Sequence, residues 1–376
     1  MAVYDINGVI ISDNSSFTGE MKSLSAYGDI STAAGFLNAF NLAIADDSIC
    51  GITIPKGVYN VGGTLNITRS NFVIDGNGST LNMRNDSGAT IAANCFAINN
   101  QNRITIKNFL INMRQNKNTS TGSAFYFLDA RYVTVENIDV FSIGCRGALI
   151  YNTDATSETP GATKMFFRNV KLRGIDDQNT VESAWPCGII AVNLIDSRFE
   201  ECVISGMCRF TIEFKNYTKN CCMINNVVYG NSFDYMHESG IALGCDRPAD
   251  EGDKIADGII FIGNIVRNCK YPLYIGRTSN LIVSNNILEG QMFMQEINSA
   301  VISGNIVKST DKFNIPLIDL GGSNDILFTG NIYEPDSNDL FLMETYKPQT
   351  NIFVNGLLNG KEINVVNPTS GTPTTA

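Results

Sequence analysis

Apolar and polar residues alternate along most of this chain in short blocks, each interrupted near its middle by Asn, Gly or another turn-forming residue. The blocks start with NFVIDGNGSTL at Asn71, NRITIKNFLIN at Asn102, RYVTVENIDVF at Arg131 and KMFFRNVKLRG at Lys164. They continue through SRFEECVISG, CCMINNVVYG, GIIFIGNIVRN, NLIVSNNILEG, AVISGNIVKS and DILFTGNIYEP to NIFVNGLLNG at Asn351. Alternation of period two marks a strand with one buried face. The central residue falls at Asn108, Asn137, Asn169, Glu201, Asn226, Asn264, Asn286, Asn305 and Asn331, so the spacing runs from 19 residues (286 to 305) to 38 (226 to 264). Such a repeat predicts the coils of a solenoid joined by loops of variable length. Asn at a corner tolerates left-handed backbone, and stacked Asn amides hydrogen-bond along the axis. A second set of blocks supplies another strand per coil: GALIYN at Gly147, GIIAVN at Gly188, FTIEFK at Phe210, GIALG at Gly240, PLYIG at Pro272 and FLMET at Phe341. The expected fold is all-β, a parallel β-helix.

An open coil needs a cap over its apolar interior. Residues 31–46, STAAGFLNAFNLAIAD, predict a capping helix: Phe36, Leu37, Phe40 and Ile44 share one face, and Ser31 or Thr32 serves as N-cap. The expected organisation is an N-terminal stub at 1–25, a single β-helix domain at 26–366 and a disordered tail at 367–376, NPTSGTPTTA.

Composition narrows the partners. With 44% hydrophobic residues among 376, the chain can bury a core. Its 27 Lys and Arg against 37 Asp and Glu leave a formal charge of -10, which argues against nucleic acid. No unbroken apolar run reaches the roughly 20 residues of a membrane span, so no membrane insertion is expected. The first 25 residues carry no basic start and apolar stretch of a secretory signal, so synthesis in a cytoplasm is expected. The 10 cysteines include no Cys-x-x-Cys pair and read as packed thiols, with Cys221 and Cys222 on opposite faces of a strand. His237 is the single histidine, which excludes the usual Cys/His zinc site. DRPADEGDKIAD, from Asp246 to Asp257, lacks the spacing of an EF-hand and reads as a solvated loop. No metal and no cofactor are expected.

AYGDI from Ala26, the Ala-rich helix and IPKGVYNV from Ile54 resemble the N-terminal cap of the pectate-lyase-like superfamily, which includes bacteriophage tailspikes, polygalacturonases and related polysaccharide-degrading proteins. The match spans about residues 26–67, and the coils extend it to about 358. Ile30, Ser31 and Thr32 stand where that family usually carries further aspartates. The resemblance, closest in character to phage or prophage tailspikes, implies a right-handed parallel β-helix and a bacterial polysaccharide as partner. It also implies a homotrimer, made in the host cytoplasm and assembled on a virion tail or released outside the cell.

Candidate chemistry concentrates in the insertion GIDDQNTVESAWPC, from Gly174 to Cys187. Asp176 and Asp177, with Glu182 nearby, offer the two carboxylates that glycosidic hydrolysis needs, and Trp185 offers a flat face for a sugar ring. The same residues also make an ordinary turn with an aromatic anchor. Asn152, Thr153 and Asp154 followed by Asp176 and Asp177 resemble the first half of the polygalacturonase motif. The next coil, Ile204 to Arg209, has no histidine for the second half, and no Arg-x-Lys follows. Glu213, between inward Ile212 and Phe214, is expected to face solvent as a further carboxylate. His237 sits among Asp234, Tyr235, Glu238, Asp246 and Arg247, company that tunes an imidazole for acid or base work. The expected catalytic set is Asp176, Asp177 and Glu213, then His237, Asp154 and Glu182. Trp185, Tyr235 and Arg209 are the expected substrate contacts, and outward Tyr229, Tyr271 and Tyr274 also suit carbohydrate. Three readings stay open: a hydrolase, a lyase on a uronate-containing glycan with His237 as base, and a receptor-binding or structural β-helix without catalysis.

Overall fold

A computed structural model describes residues 3–4, 10–12, 19–114, 122–144, 146–153, 164–174, 187–207, 210–230, 239–244, 256–309, 317–335, 343–344 and 350–366. They fall into two compact units, Met1–Met207 and Cys208–Ala376, and both are built from right-handed parallel β-helix coils. In Met1–Met207 the first sheet stacks Glu20–Ser23, Ile49–Thr53, Phe72–Asn82, Asn102–Asn112, Arg131–Ile143 and Met165–Gly174 in parallel register. The second sheet stacks Leu65–Ile67, Phe96–Asn99, Ser123–Leu128, Arg146–Tyr151 and Cys187–Val192. Inward Phe96, Phe125, Phe167 and Phe199 are buried and meet in series, with ring centroids 6.2, 6.1 and 5.1 Å apart. Each such ring contributes about 1.5–3 kcal/mol by leaving water.

In Cys208–Ala376 the first sheet stacks Cys222–Ile224, Ile260–Ile262, Thr278–Ser284, Asn298–Ser303, Asn324–Glu334 and Thr350–Leu358. Its second sheet stacks Phe210–Lys215, Ser239–Leu243, Tyr271–Gly276, Met292–Gln295, Ile318–Gly321 and Met343–Glu344. Lys361–Val366 turns back antiparallel on Thr350–Leu358 through Asn359 and Gly360, both with positive φ, as a two-residue hairpin loop requires.

The corners differ between the units. In Met1–Met207 the expected residues Asn108, Asn137 and Asn169 are themselves left-handed, with φ of 62°, 54° and 50°. Their exposed amides run as a ladder: Asn169 Nδ2 donates to Asn137 Oδ1 at 3.0 Å, and Asn137 Nδ2 to Asn108 Oδ1 at 3.3 Å. In Cys208–Ala376 the left-handed residue lies one position earlier, at Asn225, Gly263, Asn285, Gly304 and Gly330. Asn226, Asn264, Asn286, Asn305 and Asn331 instead point inward and are buried. Each of the first four donates both its backbone N–H and its Nδ2 to Oδ1 of the next, at 2.8–3.0 Å. The corner has the same number of residues in both units: the Asn occupies the left-handed position in the first and the inward position after it in the second, where Phe109, Ile138 and Val170 stand in the first. Cys221 and Cys222 are both buried as packed thiols, and Cys221 precedes the strand that begins at Cys222, so strand alternation does not apply to the pair.

The capping helix spans Ala33–Ala45, with Thr32 Oγ1 accepting from Gly35 N at 3.0 Å. Phe36 packs on Tyr59 with centroids 5.3 Å apart. At the far end, the Asp46 carboxylate accepts from the hydroxyls of Ser48 and Tyr27 and pairs with Lys22 at 3.3 Å. These donors, Ser48 first, hold the Asp46 carboxyl well below the usual carboxylate range. Burial, then the bond to Asp46, pushes Tyr27 up to about 12. A carboxylate depressed in the folded state stabilises above its unfolded pKa of about 4, and that contribution is lost as pH falls. Melting temperature should therefore drop on acidification below about pH 4, and Asp46→Asn should be less stable at neutral pH with a flatter acid slope. An unchanged acid slope in Asp46→Asn would assign the acid sensitivity to other groups.

Candidate functional site

The chain varies most in length between the end of one sheet's strands and the start of the next, before or after the strands of the second sheet. In Cys208–Ala376, period-two alternation and parallel register place Glu213, Ala242, Tyr274, Phe293 and Asp319 in one outward column, one per coil. Ile212, Leu273, Met294 and Leu320 face the core. With strands about 4.8 Å apart, the step from Glu213 to Asp319 covers about 19 Å.

The middle of that column is an aromatic platform. The rings of Tyr274 and Phe293 stack at 4.6 Å with 11° between planes. Tyr271 closes against both, at 5.8 and 5.6 Å, because two consecutive buried residues, Pro272 and Leu273, interrupt the alternation, as Gly147 and Ala148 do in Arg146–Tyr151. Lys270 Nζ lies 5.1 Å from the Tyr271 ring centre. All three rings are half-buried, leaving surface for a ligand. In the neighbouring column Gly276 and Gly321 carry no side chain and flank Gln295. One carboxylate borders the platform: Asp319, the next register position after Phe293, is 7% exposed. Outward rings beside an amide and a carboxylate suit a neutral or hydroxyl-rich chain that stacks on the rings and hydrogen-bonds at the edges.

Glu213 holds its expected outward register but not its expected exposure. It is 4% exposed, and its Oε1 accepts a 2.8 Å ion pair from Lys215 Nζ. Position i and i+2 share one face of a strand, so the lysine lies beside the acid and supplies its countercharge. Asp154, Asp176, Asp177, Glu182, Trp185, Arg209, Tyr235 and His237 lie outside the described residues, as does most of the Asp246–Asp257 segment. Of the partial Asn-Thr-Asp motif, Asn152 is buried and its carbonyl accepts from Asn193 Nδ2 at 2.8 Å, while Thr153 donates twice to Asp129, at 2.7 and 2.6 Å. Those two residues hold a turn. Tyr229 is exposed on the first sheet, away from the platform's column.

Phe293 and Asp319 are the site residues that sequence reasoning missed. The signal was present in MFMQ and LIDLGG: one aromatic or one acid at the outward position of an otherwise apolar strand. In Met1–Met207 the corresponding outward column is Asn66, Ala97, Tyr126, Leu149 and Ile190, which carries no carboxylate. That unit's charges sit on its first sheet as an alternating ladder of Asp75, Lys107, Glu136, Arg168 and Glu200. Lys107 pairs with Asp75 at 3.5 Å and Arg168 with Glu136 at 2.7 Å, which reads as a solvated, mutually neutralised face. Burial pushes the Cys202 thiol up to about 12 and raises Cys95 further, so these thiols are packing groups and not nucleophiles. Among the described residues no three His, Cys, Asp or Glu side chains converge as a metal site, and no helix is long and apolar enough to cross a membrane.

No family model matches the chain, and no curated protein matches it in sequence. Solved structures share its fold. The endo-xylogalacturonan hydrolase of Aspergillus tubingensis matches with a TM-score of 0.66 at 12% identity, over 90% of this chain and 100% of that one. The pre-mature gene product 12 of bacteriophage phi29 matches at 0.64 and 14% identity, over 83% of this chain, which spans 45% of that larger chain. The A-module of the Azotobacter vinelandii mannuronan C-5 epimerase AlgE6 matches at 0.59 and 13% identity, over 90% of this chain and 98% of that module. The likeness to pectate-lyase-like β-helices and to phage proteins is thus one of fold. A hydrolase, an epimerase and a phage protein share that architecture, so function rests on side chains.

Proposed function

We propose that this chain binds a bacterial surface polysaccharide along the outer face of the second sheet in Cys208–Ala376 and depolymerises it by hydrolysis, as a tailspike-like component of a phage or prophage tail. The observation that carries the reading is the platform of Tyr271, Tyr274 and Phe293 set in a column that continues to Asp319. Rings of this kind accept the apolar faces of sugars, and the neighbouring acid and amide take the hydroxyls. Asp176 and Asp177 are assigned as the hydrolytic pair, one protonating the glycosidic oxygen and the other acting as nucleophile or activating water. Glu213 is the third proposed carboxylate, positioned by Lys215, and Trp185, Tyr235 and Arg209 are proposed sugar contacts. His237, Asp154 and Glu182 are held as further acid-base candidates. The homotrimer and virion-tail location follow from the resemblance to tailspikes.

One observation favours binding without cleavage: Glu213, the described member of the proposed catalytic set, is buried and ion-paired. The discriminating experiment is incubation of the full chain with a panel of bacterial capsular polysaccharides, followed by product sizing, reducing-end assay and near-ultraviolet absorbance. Hydrolysis predicts shorter chains with new reducing ends and no added absorbance. An unsaturated, absorbing product would replace the hydrolase by a lyase, and retention of uncut glycan would leave a binding protein. A retained glycan should bind about tenfold more weakly to Tyr274→Ala, since a covered ring contributes about 1.5 kcal/mol. Equal retention by wild type and Tyr274→Ala would remove the platform from the account.

A further inference from the structure

From the coil of Asn71 onward, the described coils enter the first sheet through a left-handed residue. That residue is Asn, Asp, Ser or Gly, as at Asn71, Asp196, Gly258, Asn280, Ser299 and Asp325, except in consecutive coils of Met1–Met207. There it is Arg103, Tyr132 and Lys164, which share one register position and have φ of 55°, 54° and 41°. Left-handed backbone crowds the Cβ of an ordinary residue, and glycine or a short polar residue is the usual relief. Bulky side chains at this corner therefore work against local stability, and the turn itself gives no reason for them.

The three side chains meet. Arg103 Cζ lies 6.0 Å and Lys164 Nζ 5.2 Å from the centre of the Tyr132 ring, each cation coming from the coil on one side of it. Exposed Arg131 precedes the ring in sequence. Other cations of the unit are neutralised, Lys107 by Asp75, Arg168 by Glu136, Arg173 by Asp139 and Arg198 by Glu200. Among the described residues Arg103, Arg131 and Lys164 pair with no carboxylate. Asp129, close by in sequence, is taken by the N–H and hydroxyl of Thr153. The corner thus gathers positive charge on a chain whose formal charge is -10. The ring holds the cations in place, and cations without a countercharge attract one from outside.

We propose that this corner binds an acidic glycan through carboxylate, sulfate or phosphate groups carried on its sugars. Arg103 and Lys164 stand two coils apart, about 10 Å, so they meet successive charges of one chain and not a single small ion. The half-buried Tyr132 ring between them is the rest for the intervening sugar. Three cations are too few for nucleic acid, which needs an extended basic surface. The inference rests on the polysaccharide reading for the class of polymer, and adds a charge requirement and a contact in Met1–Met207 that the platform does not supply.

Affinity electrophoresis of the full chain through gels cast with hyaluronate, dextran sulfate or neutral dextran tests it. At least one acidic polymer should retard the wild type more than neutral dextran does, and added salt should weaken the effect. Arg103→Asn with Lys164→Asn should weaken retention about tenfold, with a melting temperature that stays level or rises, because Asn suits the left-handed corner. Arg103→Lys with Lys164→Arg should keep it. Tyr274→Ala should keep it too, so failure of the second-sheet platform is read separately from failure of this corner. Equal retardation by acidic and neutral polymers would overturn the proposal. So would unchanged retention in the asparagine pair, or a melting temperature that falls in it, which would assign both side chains to the fold. Tighter binding of duplex DNA than of either acidic polymer would overturn the choice of a glycan.

Discussion

Asn305→Ala is expected to destabilise Cys208–Ala376 by about 3–6 kcal/mol, enough to leave it unfolded or nearly so at ambient temperature. Asn305 is buried, and four hydrogen bonds meet on its amide. Its Oδ1 accepts from Asn286 N and Nδ2, each at 2.9 Å, and its Nδ2 donates to Val283 O and Asn331 Oδ1, each at 2.9 Å. Alanine strands the Asn286 N–H, one Asn286 amide hydrogen and the Val283 carbonyl away from water, and each orphaned group costs about 1–3 kcal/mol. The comparison that isolates burial is Asn137→Gly. That ladder position is exposed, its left-handed φ of 54° suits glycine, and the freed groups return to solvent. Its cost should stay below about 1 kcal/mol. Chemical denaturation of both variants checks the pair. Similar losses at the two positions would mean that the buried amides carry no special weight.

Asp176→Asn or Asp177→Asn is expected to remove polysaccharide cleavage by at least about 1,000-fold while leaving binding and melting temperature unchanged. Each change keeps the side chain's size and removes its ability to donate or take a proton, so a loss confined to turnover separates chemistry from fold. Retention is the informative control, because the aromatic platform, not the acid pair, is assigned the work of holding glycan. Reducing-end release and binding, measured on the same preparations, decide it. Full cleavage by both variants would dismiss Asp176 and Asp177 from the reaction and direct attention to Asp319, the acid bordering Phe293.

The coils were legible because a buried strand face enforces period-two alternation, and an Asn at or just after nearly every corner survives every change in loop length. The capping helix was legible for the parallel reason: Phe36, Phe40 and Ile44 recur at helical spacing and are buried. What alternation does not encode is which of two adjacent residues takes the left-handed corner. At Gly263-Asn264 the glycine takes it and Asn264 fills the inward position that Val170 fills beside Asn169, a difference of side-chain direction that the apolar pattern leaves open. Short strands such as Phe96–Asn99 and Met292–Gln295 escaped notice because four residues give too few alternations to stand out. The closing hairpin was signalled by Asn359-Gly360 between apolar runs, a turn pair read only as the end of a coil. The platform was half legible. Tyr271 and Tyr274 suit carbohydrate on sight, but Phe293 joins them from the next coil, and stacking neighbours across coils are set by loop lengths rather than by local sequence. Glu213 shows the converse: alternation gave its direction correctly, while its burial beside Lys215 depends on surroundings that a strand pattern does not contain.

The central claim is that glycan lies on the second sheet's outer face in Cys208–Ala376. Hydroxyl-radical footprinting of the full chain, with and without whichever capsular polysaccharide it retains, tests that claim most directly. Bound glycan should protect Tyr271, Tyr274 and Phe293 from oxidation, leaving the exposed Tyr229 and Phe353 of the first sheet unchanged. Protection of residues elsewhere, with the three platform rings oxidised as in the free protein, would contradict it.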